Sequence, residues 1–226
     1  QGIVIVGDIN AEEMEAKLKK VFEDVKAPVN PAERIYYPVS DNQEPLIYIG
    51  TDKEVKNPSV NIFFKHEATP DSLKNTISYY ASQYMLSMAM TMLNNRLNEL
   101  RQTANPPFTN ASAGYGEFFL AKTKEAFSLD ARSKVDGIDL AMKTVLEEAE
   151  RARRFGFTAT EYERARANYM QRVESAYNER EKTKSGSYVN EYVNNFLDKE
   201  PIPGIEFEYM LTKQMAPNIP VEAINK

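Results

Sequence analysis

The sequence predicts an α+β fold: an antiparallel sheet covered by a long central helix and several further helices. Three observations carry this. Apolar residues fall on helical spacing from Leu73 through Ile77, Tyr80, Ala81, Tyr84, Met88, Met92, Leu93 and Leu97 to Leu100, which is one buried helical face. Strand-like runs occur in groups before and after this stretch instead of alternating with helices, which disfavours a doubly wound parallel sheet. The residues after Lys134 read as helix after helix.

The elements follow in order. Gly2-Ile3-Val4-Ile5-Val6-Gly7-Asp8 is a β-branched run closed by a turn pair, read as a buried strand. Asn10 then caps a helix whose first turn holds Glu12 and Glu13 and whose inner side carries Met14, Leu18, Val21 and Phe22. A strand so early in the chain predicts a piece of a longer parent. Pro28, Pro31, Pro38 and Pro45 with polar residues between them mark a semi-rigid linker over 28–44, or else an ordinary surface crossover.

Leu46–Gly50 and Ser59–Lys65 are the next predicted strands, the second with both faces partly covered because Val60, Ile62 and Phe64 alternate with Asn61 and Phe63. Thr69 or Asp71 caps the central helix, with Pro70 at an early position. Its pattern holds from Ser72 to Arg101, a rod of about 45 Å. Asn105-Pro106-Pro107 ends it, because two prolines remove two amide donors and force extended geometry before each.

Phe108–Tyr115 and Phe118–Leu129 read as two more strands, with Gly114 and Gly116 marking a bulge or bend. Helical spacing returns over Lys134–Phe155 and stops at Gly156. Thr160-Glu161-Tyr162-Glu163 reads as a capping box opening the next helix. Gly186 punctuates the pattern before Tyr188, Tyr192 and Phe196, and two short helices follow at Glu206–Met215 and from Asn218.

Composition narrows the chemistry. The chain has 226 residues, a formal charge of −5, no cysteine and one histidine. Acidic balance with interleaved lysine and arginine leaves no basic face for nucleic acid. No run approaches the ~18 apolar residues of a membrane span. Without cysteine there is neither disulfide nor thiolate chemistry. A catalytic zinc takes three protein ligands, and His66 is the only imidazole on offer.

The individual motifs are weak as sites. His66-Glu67 lacks the second histidine of a helical zinc motif, since Pro70 stands where it would be, and the reversed form fails at Thr69. Gly114-x-Gly116 runs on into Glu117-Phe118-Phe119, a strand, so no helix N-terminus follows to receive a phosphate. The Met and Tyr stripe of the central helix reads as core before ligand cleft. Arg96, Glu99 and Arg101 read as charges near a helix C-terminus, and Lys134–Arg154 carries a solvated charged face.

The order of motifs says more than any one of them. Val4-Ile5-Val6-Gly7-Asp8, an acidic helix, a proline linker and two strands lead to Met92-Leu93-Asn94-Asn95-Arg96-Leu97-Asn98-Glu99-Leu100-Arg101 and Asn105-Pro106-Pro107-Phe108. Phe157-Thr158-Ala159-Thr160-Glu161-Tyr162-Glu163-Arg164-Ala165 then opens a helix. This series resembles the insulinase (pitrilysin) family of zinc metallopeptidases over nearly the whole chain.

The resemblance implies tandem α+β domains closing around a peptide-holding chamber, with zinc on an inverted His-x-x-Glu-His helix in the first domain. Residues 1–27 would be the last strand and helix of that catalytic-type domain, 28–44 a linker, and 45–226 a non-catalytic domain truncated at its C-terminus. No catalytic or metal residue carries over, and zinc is expected in the parent's catalytic domain. Some family domains place an arginine and, seven residues on, a tyrosine near substrate. Arg101 matches the first and Phe108 stands at the second, without the phenol, so these two are the substrate-binding candidates.

The implied partners are the parent's catalytic domain and a peptide or unfolded protein, and the implied location is a bacterial periplasm or envelope. The alternative is an inactive scaffold with no protease role, and a His-x-x-Glu-His upstream of Gln1 separates the two. Truncation further predicts that Ile3–Val6 fills a vacant edge of the sheet.

Overall fold

A computed structural model describes residues 2–26 and 28–226. In chain order its elements are α1 (Ala11–Val21), β1 (Ser59–Glu67), α2 (Asp71–Lys74), α3 (Ile77–Arg101), β2 (Asn110–Phe118), β3 (Ala121–Arg132), α4 (Ile138–Phe155), α5 (Ala159–Asn178), α6 (Ser185–Asp198), α7 (Ile205–Met215) and α8 (Val221–Ile224). The predicted α+β architecture is what forms. Among the described residues the sheet is antiparallel, with strand order β1-β3-β2.

Three strand-level expectations are corrected. Ile3–Val6 pairs with no strand, so it fills no vacant edge, and Leu46–Gly50 is not a strand either. Both runs have strand composition, but a strand needs a partner edge to satisfy its backbone, and neither run finds one here. Gly114 and Gly116 lie within β2, opposite Ser128 and Ala126. The irregularity falls at Glu117/Phe118, just before the turn at Phe119 and Leu120, where Phe119 takes φ 54°.

The central helix is two pieces. After α2, Asn75 leaves helical geometry, and Thr76 starts α3 as an N-cap whose hydroxyl accepts from the Tyr79 amide at 3.1 Å. The cap predicted at Thr69 or Asp71 is displaced accordingly, and Leu73 and Ile77 are exposed instead of buried. The inward face of α3 is Tyr84, Met88, Met92, Leu93 and Leu97.

That face joins two halves of the core. Leu93 and Leu97 pack with Phe108, Ala113, Leu129, Ala131, Ala141 and Val145, tying α3 to the sheet and α4. Tyr84, Met88 and Met92 pack with Tyr162, Ala165 and Ala216, tying it to α5 and the C-terminal turns. In the strands the core side carries Val60, Ile62, Ala111, Ala113, Leu129 and Ala131, and alternation puts Asn61, Ser112 and Asp130 in register on the other side.

Arg96 lies one turn beyond Met92 on the same face. Its Nε donates to Glu161 Oε1 at 2.5 Å, and one terminal nitrogen donates to Glu161 Oε2 at 2.9 Å and to the Gly156 carbonyl at 3.0 Å. The other terminal nitrogen reaches Glu148 Oε1 at 3.3 Å, and the Phe157 ring sits under the guanidinium at 4.7 Å. Arg96 therefore ties α3 to α4, to α5 and to the turn between them, where sequence spacing showed only a helix-end charge.

Two asparagines hold backbone in the manner of a strand. Asn94 accepts from the Ala113 amide and donates to its carbonyl, both at 2.9 Å, which occupies part of the free edge of β2. Asn225 does the same at Phe157, at 2.8 and 3.0 Å. Gly156, with φ 69°, sits against Asn225, and a Cβ there would fall 2.5 Å from its side chain. The capping box of α5 is Thr158 with Glu161, two residues earlier than Thr160 with Glu163. Gly186 falls in the first turn of α6.

Arg96→Ala leaves half-buried Glu161 without its cation and buried Glu148 with Arg151 alone, at 3.4 Å, so the mutant loses about 3 kcal/mol in urea unfolding. The bidentate Arg96 contact holds the Glu161 carboxyl down at about 2, against an ordinary 4.5. A depressed folded-state value means its stabilisation is complete above about pH 4.5 and drains as pH falls toward 2. Glu161→Gln flattens the pH dependence of the unfolding midpoint in that window.

Candidate functional site

The apolar core stops short of one end of the sheet, and a cleft of about 630 Å³ opens there. Its walls are the end of β1, the β2–β3 hairpin, the start of α3 and the end of α6. Six carboxylates line it (Glu67, Asp71, Glu117, Glu125, Asp198 and Glu200) against Lys74, Lys122 and Lys124, a formal balance of −3.

Strand and helix place these groups with known partners. Glu125 Oε2 accepts from the Tyr115 hydroxyl at 2.9 Å, while the Thr69 amide lies 3.4 Å from Oε1. Tyr79, in the first turn of α3, donates to Glu200, whose two oxygens are each 3.1 Å away. Burial first, and then these carboxylates, push both phenols well above the usual tyrosine value, so both are neutral donors at neutral pH. Lys74 donates to the Asp198 carbonyl at 2.7 Å, and Lys122 bridges Asp198 and Glu117. Lys124 is held by Asp41 at 2.7 Å and by Glu67.

The cleft offers hydrogen-bond donors and acceptors of both charges, set on rigid elements. The Thr69 hydroxyl also lies 3.5 Å from Glu125 Oε2. His66 is exposed near the end of β1, stacked on the Tyr115 ring at 5.2 Å, with Nδ1 2.9 Å from the Glu67 carbonyl oxygen. Among the described residues no group of three His, Cys, Asp or Glu side chains could hold a metal ion. The residues present therefore do not fit a zinc site, and no step of zinc chemistry is assigned to this chain.

On the other face of the sheet a second hollow of about 510 Å³ is lined by Ser59, Asn61, Asn110, Ser112, Asp130 and Arg132. Burial raises the Asp130 carboxyl. Phe63, Phe118 and Phe119 cluster at the hairpin end of this face, with ring centroids 4.8–5.6 Å apart.

The two residues singled out in the sequence part company. Phe108 is 2% exposed and packs in the core with Leu97 and Leu129. Arg101 is exposed at the end of α3, where it donates to Asn98 Oδ1 at 2.7 Å. Sequence reasoning missed the cleft, because Tyr79 and Glu200 lie 121 positions apart and nothing in the spacing joins them. The one local signal was Tyr115 between its two glycines.

An antiparallel sheet under a long helix, with a polar cleft beyond the core, defines the class as an α+β domain. The chain belongs to the family described as the peptidase M16 inactive domain, whose sequence model matches residues 2–169. The resemblance to the insulinase family read from the motif order is borne out. A protein of Arabidopsis thaliana described as "Zinc protease PQQL-like" is 28% identical over 225 residues, 99% of this chain and 20% of that protein. The chain thus spans about a fifth of this curated relative.

Among solved structures, the periplasmic protease PqqL from Escherichia coli superposes with a TM-score of 0.79 at 19% identity, covering 97% of this chain and 24% of that one. The first half of the same protease gives 0.80, with 46% of that chain covered. A predicted insulinase family protease from Yersinia pestis gives 0.72 at 12% identity. At these identities the likeness is one of fold.

Emptying the Phe108 site in the core costs about 3–5 kcal/mol for Phe108→Ala. Arg101→Ala at the surface shifts stability by no more than ~0.5 kcal/mol. Chemical denaturation of the two variants distinguishes a packing residue from a surface one.

Proposed function

We propose that this chain is the non-catalytic domain of a zinc-dependent metalloendopeptidase and forms part of the wall of a peptide-holding chamber. In this reading residues 1–27 belong to the preceding catalytic-type domain, 28–44 are a linker, and 45–226 form the non-catalytic domain. Zinc and the general base come from the catalytic domain of the same parent chain. The substrate is a peptide or an unfolded protein. Likeness of fold to a periplasmic protease supports a location in a bacterial periplasm or envelope, although a relative in a plant is similar over the same span.

One observation carries the reading: a member of the inactive-domain family has an ordered core and a polar cleft, and among its described residues no set that fits zinc. The domain's contribution is then to hold and orient. Arg101 supplies an exposed guanidinium at the end of the long helix, able to donate to a peptide carbonyl or carboxylate.

Two measurements test this. The isolated chain binds no stoichiometric zinc in calorimetry, and a tight one-to-one site overturns the assignment. In the full-length parent, Arg101→Ala raises KM for peptide cleavage about fivefold with kcat held within about twofold, the pattern of lost ground-state binding. A parent that binds no zinc and cleaves no peptide sinks the protease reading in favour of a scaffold.

A further inference from the structure

Leu46, Ile47, Tyr48 and Ile49 are 81%, 83%, 93% and 85% exposed. In an extended chain successive side chains point to opposite faces, so this run is apolar on both sides. It carries no charge between Pro45 and Thr51. A continuous apolar run bounded by turn residues is the signature of a strand covered on both faces. Here it is covered on neither and pairs with nothing.

The root of the run is fixed. Lys65 Nζ donates to the Ser40 carbonyl at 2.7 Å, and Lys124 Nζ holds Asp41, so residues 40–41 are anchored to β1 and β3. The arm beyond them leaves its own sheet.

The outer edge of β1 is a poor home for it. An added strand there would meet Val60, Ile62 and Phe64 on one side but Ser59, Asn61 and Lys65, with Asp130 behind them, on the other, where Phe63 is the one apolar side chain. Away from the Phe63 cluster, the apolar side chains on that side would face a polar surface, whether β1 belonged to the same chain or to a second copy. The occupant that fits is a sheet edge with apolar cover on both faces. Proteins of this kind have the length to supply one, since this chain spans only a fifth of the plant relative. Ile3–Val6, likewise unpaired, is a second run of the same composition in the same N-terminal region.

We propose that Leu46–Gly50 is an exchanged strand, which leaves its own domain and adds by backbone hydrogen bonding to the edge of a β-sheet in another domain of a longer chain. This rests on the reading of the chain as one domain of a longer protein, though not on that protein's activity.

The test uses the full-length parent. The amides of residues 47–50 exchange with solvent about a hundredfold more slowly than those of the 51–57 loop. A photo-crosslinker introduced by Tyr48→p-benzoylphenylalanine joins, within one polypeptide, to a segment outside residues 1–226. Ile47→Pro abolishes the slow exchange at 47–50 and in the crosslinked partner strand, while β3 stays protected. Fast exchange at 47–50 overturns the proposal, as does a crosslink to Ser59–Glu67 or to a second copy. A parent without peptidase activity sinks the protease reading and leaves the strand exchange standing, because neither readout depends on cleavage.

Discussion

The guanidinium of Arg96 is the point on which the helical half of the molecule depends. A side chain only 11% exposed satisfies two carboxylates, a turn carbonyl and an aromatic face at once. Burying a charge is unfavourable unless it is paired and fully hydrogen-bonded, so the surroundings of Arg96 have little freedom. Glu161 must point inward from the first turn of α5 while also closing the Thr158 capping box. Gly156 must take its left-handed turn so that its carbonyl faces the same cation. The angle between α4 and α5 is set by this network as much as by the apolar contacts beneath it.

A similar economy governs the sheet. With three strands among the described residues, two edges stay open, and the β2 edge is blunted by a side-chain amide from α3. Asn94 and Arg96 are two residues apart on one helix, so the same turns of α3 that fill the core also fix the edge of β2 and the start of α5. The 25-residue helix is thus held to the sheet by its apolar stripe and Asn94, and to α4 and α5 by Arg96.

Function follows from what this arrangement leaves over. The apolar stripe is consumed by packing, so the central helix has no inward position free for ligand chemistry. Accessible polar groups remain in the cleft beyond the core, in the hollow on the open face of the sheet and in Arg101 at the helix end. Surfaces of this kind offer hydrogen-bond donors and acceptors of both charges. Exposed apolar residues are densest in the run Leu46–Ile49 before β1, and others stand singly along the chain, as at Leu120 and Phe155.

Periodicity, capping residues and turn residues act within a few positions of one another, and to that extent the sequence determined this protein by itself. The α+β class, the long helix, the core face from Tyr84 to Leu97, the grouped strands and the stop at the prolines were all legible, as was the poverty of metal ligands. The order of motifs carried the family. Tertiary structure decided whatever depends on a partner far along the chain. Thr76 divides the central helix, and Phe108, a candidate contact by position, is core because the sheet closes over it. Ile3–Val6 and Leu46–Gly50 have the composition of strands, yet composition supplies no edge to pair with. The joining of Arg96 to Glu161 and of Tyr79 to Glu200 spans 65 and 121 positions, and such contacts exist only once helices and sheet have packed.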